Sequence, residues 1–210
     1  MKIAFCDLEG TLIEVWGWWY IKDFFGAKKL SDEYAELYKE GKVGFEEWRR
    51  ELSRVWKENK VTKKQFEEKL KNYKYLPGAK ELISGLKKKG YYIVIVTGAV
   101  SVLAEMIAKE LQIDELICGH EFIFNPKGEF LDIKTHPTYR RGEGKVHFIK
   151  QVIEKNKVKK ENCIAIGGDD INDLWMMKEL KSFSVNPKVR VVAEVVDYEV
   201  KNLKEILKYV

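Results

Sequence analysis

The sequence has little of several residue types, and each shortage excludes a class of protein. It holds 4 prolines and 15 glycines among 210 residues, and 45% of it is hydrophobic, which excludes collagen-like and wholly disordered chains. No apolar run approaches the roughly 20 residues that span a bilayer. The N-terminus also lacks the apolar run and small-residue cleavage site of a signal peptide. We therefore expect a cytoplasmic protein with no membrane partner.

Cysteine and arginine are also scarce. The three cysteines, Cys6, Cys118 and Cys163, are an odd number without metal-ligand spacing, which predicts free buried thiols in a reducing compartment. Only 6 of the 38 basic residues are Arg, whereas 24 of the 33 acidic residues are Glu. This Lys- and Glu-rich balance is typical of heat-adapted proteins. Because the net charge of +5 is spread along the chain rather than clustered, the sequence argues against a nucleic-acid partner.

The order of the predicted elements favours one α/β domain with a helical insert. Unbroken apolar segments at 2–6, 91–96 and 163–166 alternate with helical segments, which is typical of a parallel sheet covered on both faces. Four further elements complete the core. They are a predicted hairpin (121–124 with 130–133), two short strands (183–185 and 195–196) and a last helix (203–209). Immediately after the first strand, helix-period segments run without interruption, with Ser31 and Thr62 as candidate N-caps. We predict a core of residues 1–13 plus 75–210 and a helical cap of residues 14–74.

Polar clusters follow three of the predicted strands. They read Asp7-Leu8-Glu9-Gly10-Thr11, Thr97-Gly98-Ala99 and Gly168-Asp169-Asp170-Ile171-Asn172-Asp173. Because ligands of open α/β sheets bind beyond the carboxyl ends of the strands, we expect these clusters to converge on one edge. The converging carboxylates repel each other unless a divalent cation or a cationic side chain neutralises them. Oxygen ligands without nearby His or Cys select a hard ion, so the predicted metal is Mg²⁺.

This set of side chains suits phosphoryl transfer. Asp7 beside Mg²⁺ can attack phosphorus, and Glu9, two residues later, can protonate the leaving oxygen and then activate water. The hydroxyl of Thr97 can hold a phosphoryl oxygen, while Lys145, at a predicted helix start after Gly142-Glu143-Gly144, can balance the remaining charge.

The three clusters and Lys145, in their order along the chain, resemble the four motifs of the haloacid dehalogenase (HAD) superfamily of phosphatases. The insert after the first motif, the Leu76-Pro77-Gly78-Ala79 segment and the closing Leu203-Lys204-Glu205-Ile206-Leu207 are most similar to its phosphoserine phosphatase-like branch. The resemblance implies a Rossmann-like parallel sheet core with a helical cap and an aspartyl-phosphate formed on Asp7, with Glu9 as general acid/base. It also implies Mg²⁺ bound by four residues, Asp7, Glu9 through its backbone carbonyl, Asp169 and, through water, Asp173. Phosphate-binding residues implied by the resemblance are Gly10, Thr97, Gly98, Lys145 and Asn172.

The chain departs from the pattern of that branch at several positions. The acid/base position usually holds Asp, which is one methylene shorter than Glu9. Counting along the cap, the Glu and Arg that bind the amino-acid part of phosphoserine fall here on Trp16 and Leu52, although Glu14, Arg49 or Arg50 could substitute. Asp170 and Ala99 replace glycines of the usual motifs. These departures argue against phosphoserine, so we expect a small phosphorylated metabolite as substrate.

Two further questions stay open at the level of sequence. Residues 14–74 hold 13 of the 26 aromatic side chains, which could form the core of the cap or line a substrate pocket. The same motifs also fit a phosphotransferase or mutase that uses an alcohol acceptor, or a catalytically weak phosphate-binding module. The sequence is compatible with a monomer or a homodimer.

Overall fold

The computed structural model describes residues 1–14, 17–136, 144–168, 170–185, 187 and 189–210 of the chain. Its strands are β1 (Lys2–Cys6), β2 (Tyr91–Val100), β3 (Glu115–Phe124), β4 (Phe130–Thr135), β5 (Cys163–Ile166), β6 (Lys181–Val185) and β7 (Tyr198–Val200). Its α-helices are α1 (Gly17–Ile21), α2 (Lys28–Lys39), α3 (Phe45–Glu58), α4 (Lys63–Leu70), α5 (Ala79–Lys88), α6 (Ser101–Glu110), α7 (Gly144–Asn156), α8 (Leu174–Glu179) and α9 (Arg190–Ala193). Short 3₁₀ segments occupy Lys160–Asn162, Ile171–Asp173 and Leu203–Lys208.

The strands form one seven-stranded sheet in the order β4-β3-β2-β1-β5-β6-β7. All neighbouring strands are parallel except β4, which runs antiparallel to β3. Along β1, Ile3 and Phe5 pack into one apolar cluster and Ala4 and Cys6 into another, so the central strand is buried on both faces. The predicted α/β class with a mostly parallel sheet is therefore confirmed. Among the described residues, no helix is long and apolar enough to cross a membrane.

Several predicted boundaries are wrong for local reasons. The predicted strand at 195–196 lies in the turn after α9, and the last strand is instead Tyr198–Val200, three residues that the short pattern did not identify. Strand β2 extends through Thr97 to Val100 with a register shift, where the Thr-Gly pair had predicted an end. The predicted helix at 203–209 is a 3₁₀ segment.

The two predicted helix caps have different outcomes. Thr62 caps α4 with a capping box, in which its hydroxyl accepts from the Gln65 N–H and the Gln65 side chain accepts from the Thr62 N–H. Ser31 is not a cap, because α2 begins one turn earlier and Ser31 lies buried inside it.

An aromatic cluster joins α3 and α4 to the β3–β4 hairpin. The ring centroids of Trp56 and Phe66 lie 5.2 Å apart, those of Phe66 and Phe122 5.4 Å, and those of Trp56 and Phe130 5.8 Å. Backbone hydrogen bonds support the same contact, since the Phe130 N–H donates to the Val61 carbonyl at 2.7 Å. The helices between β1 and α5 are therefore fixed to one edge of the sheet as well as to its centre.

Gly78, the residue before α5, offers a test of how the C-terminal segment is held. It has φ of +83°, and a Cβ there would overlap the Asn202 side chain and lie 2.7 Å from the backbone nitrogen of Lys204. Gly90 is the matched control, with φ of +76° and open space where a Cβ would lie. Both Gly→Ala variants incur left-handed backbone strain, but only Gly78→Ala also forces atoms apart, at an added cost of about 1–3 kcal/mol. Urea denaturation should show that difference, and equal losses of stability would contradict it.

Candidate active site

The carboxyl ends of β2, β1 and β5 lie side by side at the centre of the sheet. Cys6 of β1 is in register with Ile95 of β2 and with Ile166 of β5. The next residue, Asp7, donates its backbone N–H to the Ile166 carbonyl at 2.9 Å, which continues the parallel pairing by one residue. The sheet thus brings the polar segments after β1 and β5 and the end of β2 to one edge, as predicted from their strand-end positions.

One buried ammonium group lies between two buried carboxylates at this edge. Lys145, in the first turn of α7, is 4% exposed, and its Nζ donates to Oδ1 of Asp7 and, at 2.6 Å, to Oδ1 of Asp173. The second oxygen of Asp173 accepts from the Gly168 N–H at 2.7 Å. Three separate segments of the chain therefore meet at Lys145. Because two carboxylates surround one ammonium group, the three side chains together carry an excess of negative charge.

Asp7 is held at both carboxylate oxygens. Oδ1 contacts Lys145, and Oδ2 accepts from the Thr11 hydroxyl at 3.0 Å. Burial raises the pKa of Asp7 to about 6; the ammonium of Lys145 opposes this rise and the nearby Asp173 carboxylate adds to it. Above that pH the carboxylate is the main form of Asp7. The contact between Thr11 and Asp7 was not predicted, although the position of Thr11 in a turn, four residues after Asp7, was a signal for it.

Gly10 shapes the turn that makes the Thr11 contact possible. Its φ is +73°, a conformation that suits glycine, and its N–H donates to the Ile13 carbonyl at 2.8 Å. The N–H is therefore already used within the turn. Its predicted contact with phosphate stays a prediction.

Glu9 connects the sheet edge to the first helix of the insert. Its Oε1 accepts from the backbone N–H of Gly17 at 2.5 Å, where α1 begins. A Cβ on Gly17 would lie 3.0 Å from that oxygen and 2.9 Å from the Val100 side chain. The absence of a side chain at Gly17 thus allows the close approach between α1 and Glu9.

The end of β2 places Thr97 and Gly98 opposite Asp7, on the neighbouring strand. Thr97 is 1% exposed, and its hydroxyl accepts from the Ala99 N–H at 3.0 Å. The Gly98 carbonyl accepts from the indole Nε1 of Trp18 at 3.1 Å. Both residues line the same cavity as Asp7 and Glu9.

In the segment after β5, Asp170 and Asn172 contact each other. Asp170 caps the 3₁₀ segment, and the backbone and side-chain nitrogens of Asn172 both donate to its Oδ1, at 2.8 Å and 2.6 Å. These contacts make Asp170 the N-cap of that segment. Asn172 lies at the cavity wall, whereas Asp169 is outside the described residues.

The donor set fits a hard cation. Asp7 and Asp173 supply buried carboxylate oxygens whose charge one ammonium group does not balance. Among the described residues that line the cavity with Asp7, there is no Cys and the one His is His120, so the donors near Asp7 are oxygen atoms. No group of three or more His, Cys, Asp or Glu side chains in the described part of the chain is arranged to hold a metal ion. The predicted third carboxylate, Asp169, falls outside that part.

A cavity of about 510 Å³ opens above these residues. Its floor carries Asp7, Glu9, Thr97 and Lys145. Its far wall consists mainly of rings and is lined by Trp18, Trp19, Tyr38, Phe45 and His120, with Glu46 beside them. The sequence analysis assigned no role to His120 and did not single out Tyr38, Phe45 or Glu46. Aromatic enrichment in residues 14–74 was the signal for the wall, and the structure divides those aromatics between the cavity and the core, where Trp48 and Trp56 are buried.

The residues expected to replace the phosphoserine-binding pair do not reach the cavity with a free charge. Arg49 is 7% exposed and donates to the Ile133 carbonyl at 3.1 Å and to Glu46 at 2.9 Å. Leu52 is buried, and Arg50, whose side chain is 71% exposed, is not among the residues that line the cavity. Trp16 lies outside the described residues.

Comparison with known proteins agrees with this arrangement. The family model for haloacid dehalogenase-like hydrolases matches residues 4–178. The chain is 29% identical over 213 residues to a phosphoserine phosphatase of Lactococcus lactis, covering 97% of this chain and 93% of that protein. It is 26% identical over 212 residues to a phosphoserine phosphatase of Methanocaldococcus jannaschii, covering 100% and 97%.

Solved structures share the fold. A phosphoserine phosphatase described as a phospho-aspartyl intermediate analogue has a TM-score of 0.77 at 23% identity, covering 100% of this chain and 98% of that one. A substrate-bound phosphoserine phosphatase complex has the same TM-score at 22% identity and the same coverage. These matches confirm the predicted resemblance to the phosphoserine phosphatase-like branch and, with it, an enzyme of the phosphatase class. The chain belongs to the haloacid dehalogenase-like hydrolase family.

Proposed function

We propose that the protein is a Mg²⁺-dependent phosphomonoester hydrolase that acts on a small phosphorylated metabolite through an aspartyl-phosphate at Asp7. The observation that carries the proposal is the position of Asp7, a buried carboxylate held by Lys145 and Thr11 on the floor of the cavity, with Glu9 at the same floor. A nucleophile with both oxygens held is oriented toward a substrate that enters from above.

In the first step, an Asp7 oxygen forms a bond to phosphorus and the bond from phosphorus to the ester oxygen breaks. Glu9, in its protonated form, gives its proton to that oxygen, so the alcohol leaves as a neutral molecule. The hydrogen bond from Gly17 to Glu9 Oε1 fixes one oxygen of this carboxyl group.

In the second step, water attacks the phosphorus of the aspartyl-phosphate. Glu9, now a carboxylate, takes a proton from that water, the bond between Asp7 and phosphorus breaks, and inorganic phosphate leaves. Both carboxyl groups return to their starting states, so the cycle consumes one ester and one water.

Positive charge and hydrogen-bond donors are needed wherever the phosphoryl group is held. Lys145 contacts Asp7 directly, so its ammonium group lies within reach of an attached phosphoryl oxygen, and Thr97 and Gly98 lie on the neighbouring strand end. Asn172 stands at the cavity wall on the other side. Mg²⁺ held by Asp7, Asp169, Asp173 and the Glu9 carbonyl would supply further neutralisation of the phosphoryl charge.

The division into core and cap follows from how the chain leaves and re-enters the sheet region. The Glu14 N–H donates to the Lys74 carbonyl, and the Leu76 N–H donates to the Leu12 carbonyl, each at 2.9 Å. The two connections thus run side by side, next to a bridge between Ile13 and Tyr75. This pairing supports a cap of residues 14–74 on a core of residues 1–13 plus 75–210, with the cap excluding water from the reacting groups.

The state of the three cysteines supports a reducing, cytoplasmic location. Cys6, Cys118 and Cys163 are free thiols. Burial raises the pKa of Cys6 and of Cys118 to about 12, which keeps both in the unreactive thiol form.

Asp7→Asn tests the nucleophile. Release of inorganic phosphate from an aryl phosphate and from a panel of metabolite phosphates should require Mg²⁺ and should fall at least about 10³-fold in the variant, because an amide cannot form the intermediate. Asp32→Asn, a change of the same kind at an exposed position, should keep the wild-type rate.

Other results of that experiment would favour the alternatives. Phosphoryl transfer to added alcohols in place of water would identify a phosphotransferase or mutase. Tight binding of phosphate or of an aluminium or beryllium fluoride, with no turnover of any substrate, would identify a binding module.

Glu9 variants test the acid/base role and the contact with α1. Glu9→Gln should lower kcat by about 10²–10⁴-fold, since it removes the transferable proton. Glu9→Asp keeps a carboxyl group but draws it away from the Gly17 N–H, so its loss should be intermediate. Glu33→Gln, at an exposed position on α2, serves as the control. A Glu9→Gln enzyme within twofold of wild type would exclude Glu9 as the acid.

Lys145→Met tests the charge balance of the site through stability. Removal of the ammonium group leaves the Asp7 and Asp173 carboxylates buried together, and loss of one member of such a group costs about 3–5 kcal/mol. Lys155→Met on the same helix removes an exposed ammonium with one partner 3.5 Å away, and should cost under about 1 kcal/mol. Urea denaturation near neutral pH with a chelator present measures both, and similar losses would show that Lys145 does not balance the carboxylates.

A further inference from the structure

One part of the cavity lining is a connected set of rings. Trp18 packs edge-on against Phe45 at 5.4 Å and against His120 at 5.5 Å between ring centroids, and Phe45 and His120 lie 5.9 Å apart. The indole nitrogen of Trp18 is already used by the Gly98 carbonyl. Trp18 and Phe45 therefore offer carbon surface, rather than polar groups, to whatever enters.

Two further rings stand at the mouth of the cavity and are exposed. Trp19 is 43% exposed and Tyr38 is 42% exposed, although both line the cavity. Both rings contact the buried Trp48, with centroid distances of 5.2 Å and 6.3 Å. They are thus held in place by the core of the cap while part of their apolar surface faces water, a state that an apolar ligand would relieve.

The charges around the cavity disfavour an anionic leaving group. Among the described residues that line it, Lys145 is the one Lys or Arg, and it is engaged by Asp7 and Asp173 on the floor. The carboxylates of Glu9 and Asp170 lie around the same space. An alcohol that carried its own carboxylate would therefore meet acidic groups and no unengaged cationic one in this part of the chain.

The acidic group on the ring wall is also poorly suited to bind a cation. Glu46 accepts from the buried Arg49 at 2.9 Å, so its charge is already balanced within the cap. An aromatic site for an alkylated ammonium gains much of its strength when the cation is desolvated against the rings, and a carboxylate neutralised by Arg49 adds little attraction. The rings without a net charge beside them favour a neutral apolar group.

We propose that this cavity selects phosphomonoesters whose alcohol carries an uncharged aromatic ring, with Trp19 and Tyr38 covering that ring at the mouth. The inference rests on the proposed function for the position of the phosphoryl group, which lies on the floor at Asp7. A cavity of about 510 Å³ is large enough for a phosphoryl group and one ring together. The aromatic wall thus takes the place that charged side chains would occupy in a site for an amino-acid phosphate.

The test is a binding measurement on Asp7→Asn protein, which holds the ligand without consuming it. Calorimetry in the presence of Mg²⁺ compares 2-phenylethyl phosphate with ethyl phosphate, O-phosphoserine and phosphocholine, which share the phosphoryl group and differ in what the alcohol carries. We expect 2-phenylethyl phosphate to bind at least about tenfold more tightly than each of the others, since contact with aromatic rings is the difference.

Two neighbouring residues of α1 provide a matched pair of variants. Trp19→Ala, added to Asp7→Asn, should reduce the preference for 2-phenylethyl phosphate over ethyl phosphate about tenfold. Tyr20→Ala should keep it, because Tyr20 is 40% exposed like Trp19 but does not line the cavity. Circular dichroism checks that each variant is folded. If Trp19→Ala does not fold, Tyr38→Ala, on α2, gives a second test of the aromatic wall.

Several outcomes would overturn the proposal. Tighter binding of O-phosphoserine or phosphocholine, or equal binding of all four ligands, would show that the wall does not select an uncharged ring. An equal loss of preference in Trp19→Ala and Tyr20→Ala would remove Trp19 from the wall. Turnover by the wild-type enzyme separates this inference from the proposed function. A preference in binding without any hydrolysis contradicts only the proposed reaction. Asp7-dependent hydrolysis without the binding preference contradicts only the proposed specificity.

Discussion

The contact of one buried lysine with two buried carboxylates is the constraint on which the rest of the site depends. Lys145 brings together residues that follow β1 and β5 and the first turn of α7. Buried charges are stable only when they are paired and hydrogen-bonded. The Thr11 hydroxyl and the Gly168 N–H supply the further hydrogen bonds to Asp7 and Asp173. The group still carries more negative than positive charge. A divalent cation at this edge would therefore complete a charge balance that the protein leaves unfinished.

Several contacts attach the insert to the sheet region, and two of them bear on the candidate site. Near its start, Gly17 donates to Glu9, so the side chain proposed to move protons is positioned by the first helix of the insert. Farther on, Arg49 donates to the Ile133 carbonyl and Val61 accepts from Phe130, which fastens α3 and the turn after it to the β3–β4 hairpin. A carboxyl group one methylene longer than Asp can bridge from the sheet edge to the insert. The substitution at position 9 is thus matched by the glycine at position 17.

The fold and the floor of the site could be predicted because they depend on local patterns. Unbroken apolar strands, and polar residues directly after them, determine which side chains reach the sheet edge. Parallel pairing of the strands then brings Asp7 and Thr97 close together. The final strand was misplaced because three residues give no usable alternation, and the start of α2 was missed because Ala27 caps it without a side-chain hydrogen bond. Which aromatics face the cavity depends on packing between distant segments. Trp18 and Trp19 are neighbours in sequence, yet one is 8% exposed and the other 43%.

The contacts of Arg49 bear on the proposed specificity of the cavity. It lies close in sequence to the position where related enzymes bind a substrate carboxylate, but here its guanidinium group is buried against Ile133 and Glu46. Release of Arg49 toward the cavity would leave the Glu46 carboxylate and the Ile133 carbonyl without their donor, and so would carry a cost that the substrate would have to offset. The same hydrogen bonds that fasten α3 to the β3–β4 hairpin therefore hold the Arg49 guanidinium away from the cavity lining. The side chains that the described part of the chain offers there are mainly the rings of Trp18, Trp19, Tyr38 and Phe45, and the proposed preference for an uncharged aromatic group depends on them.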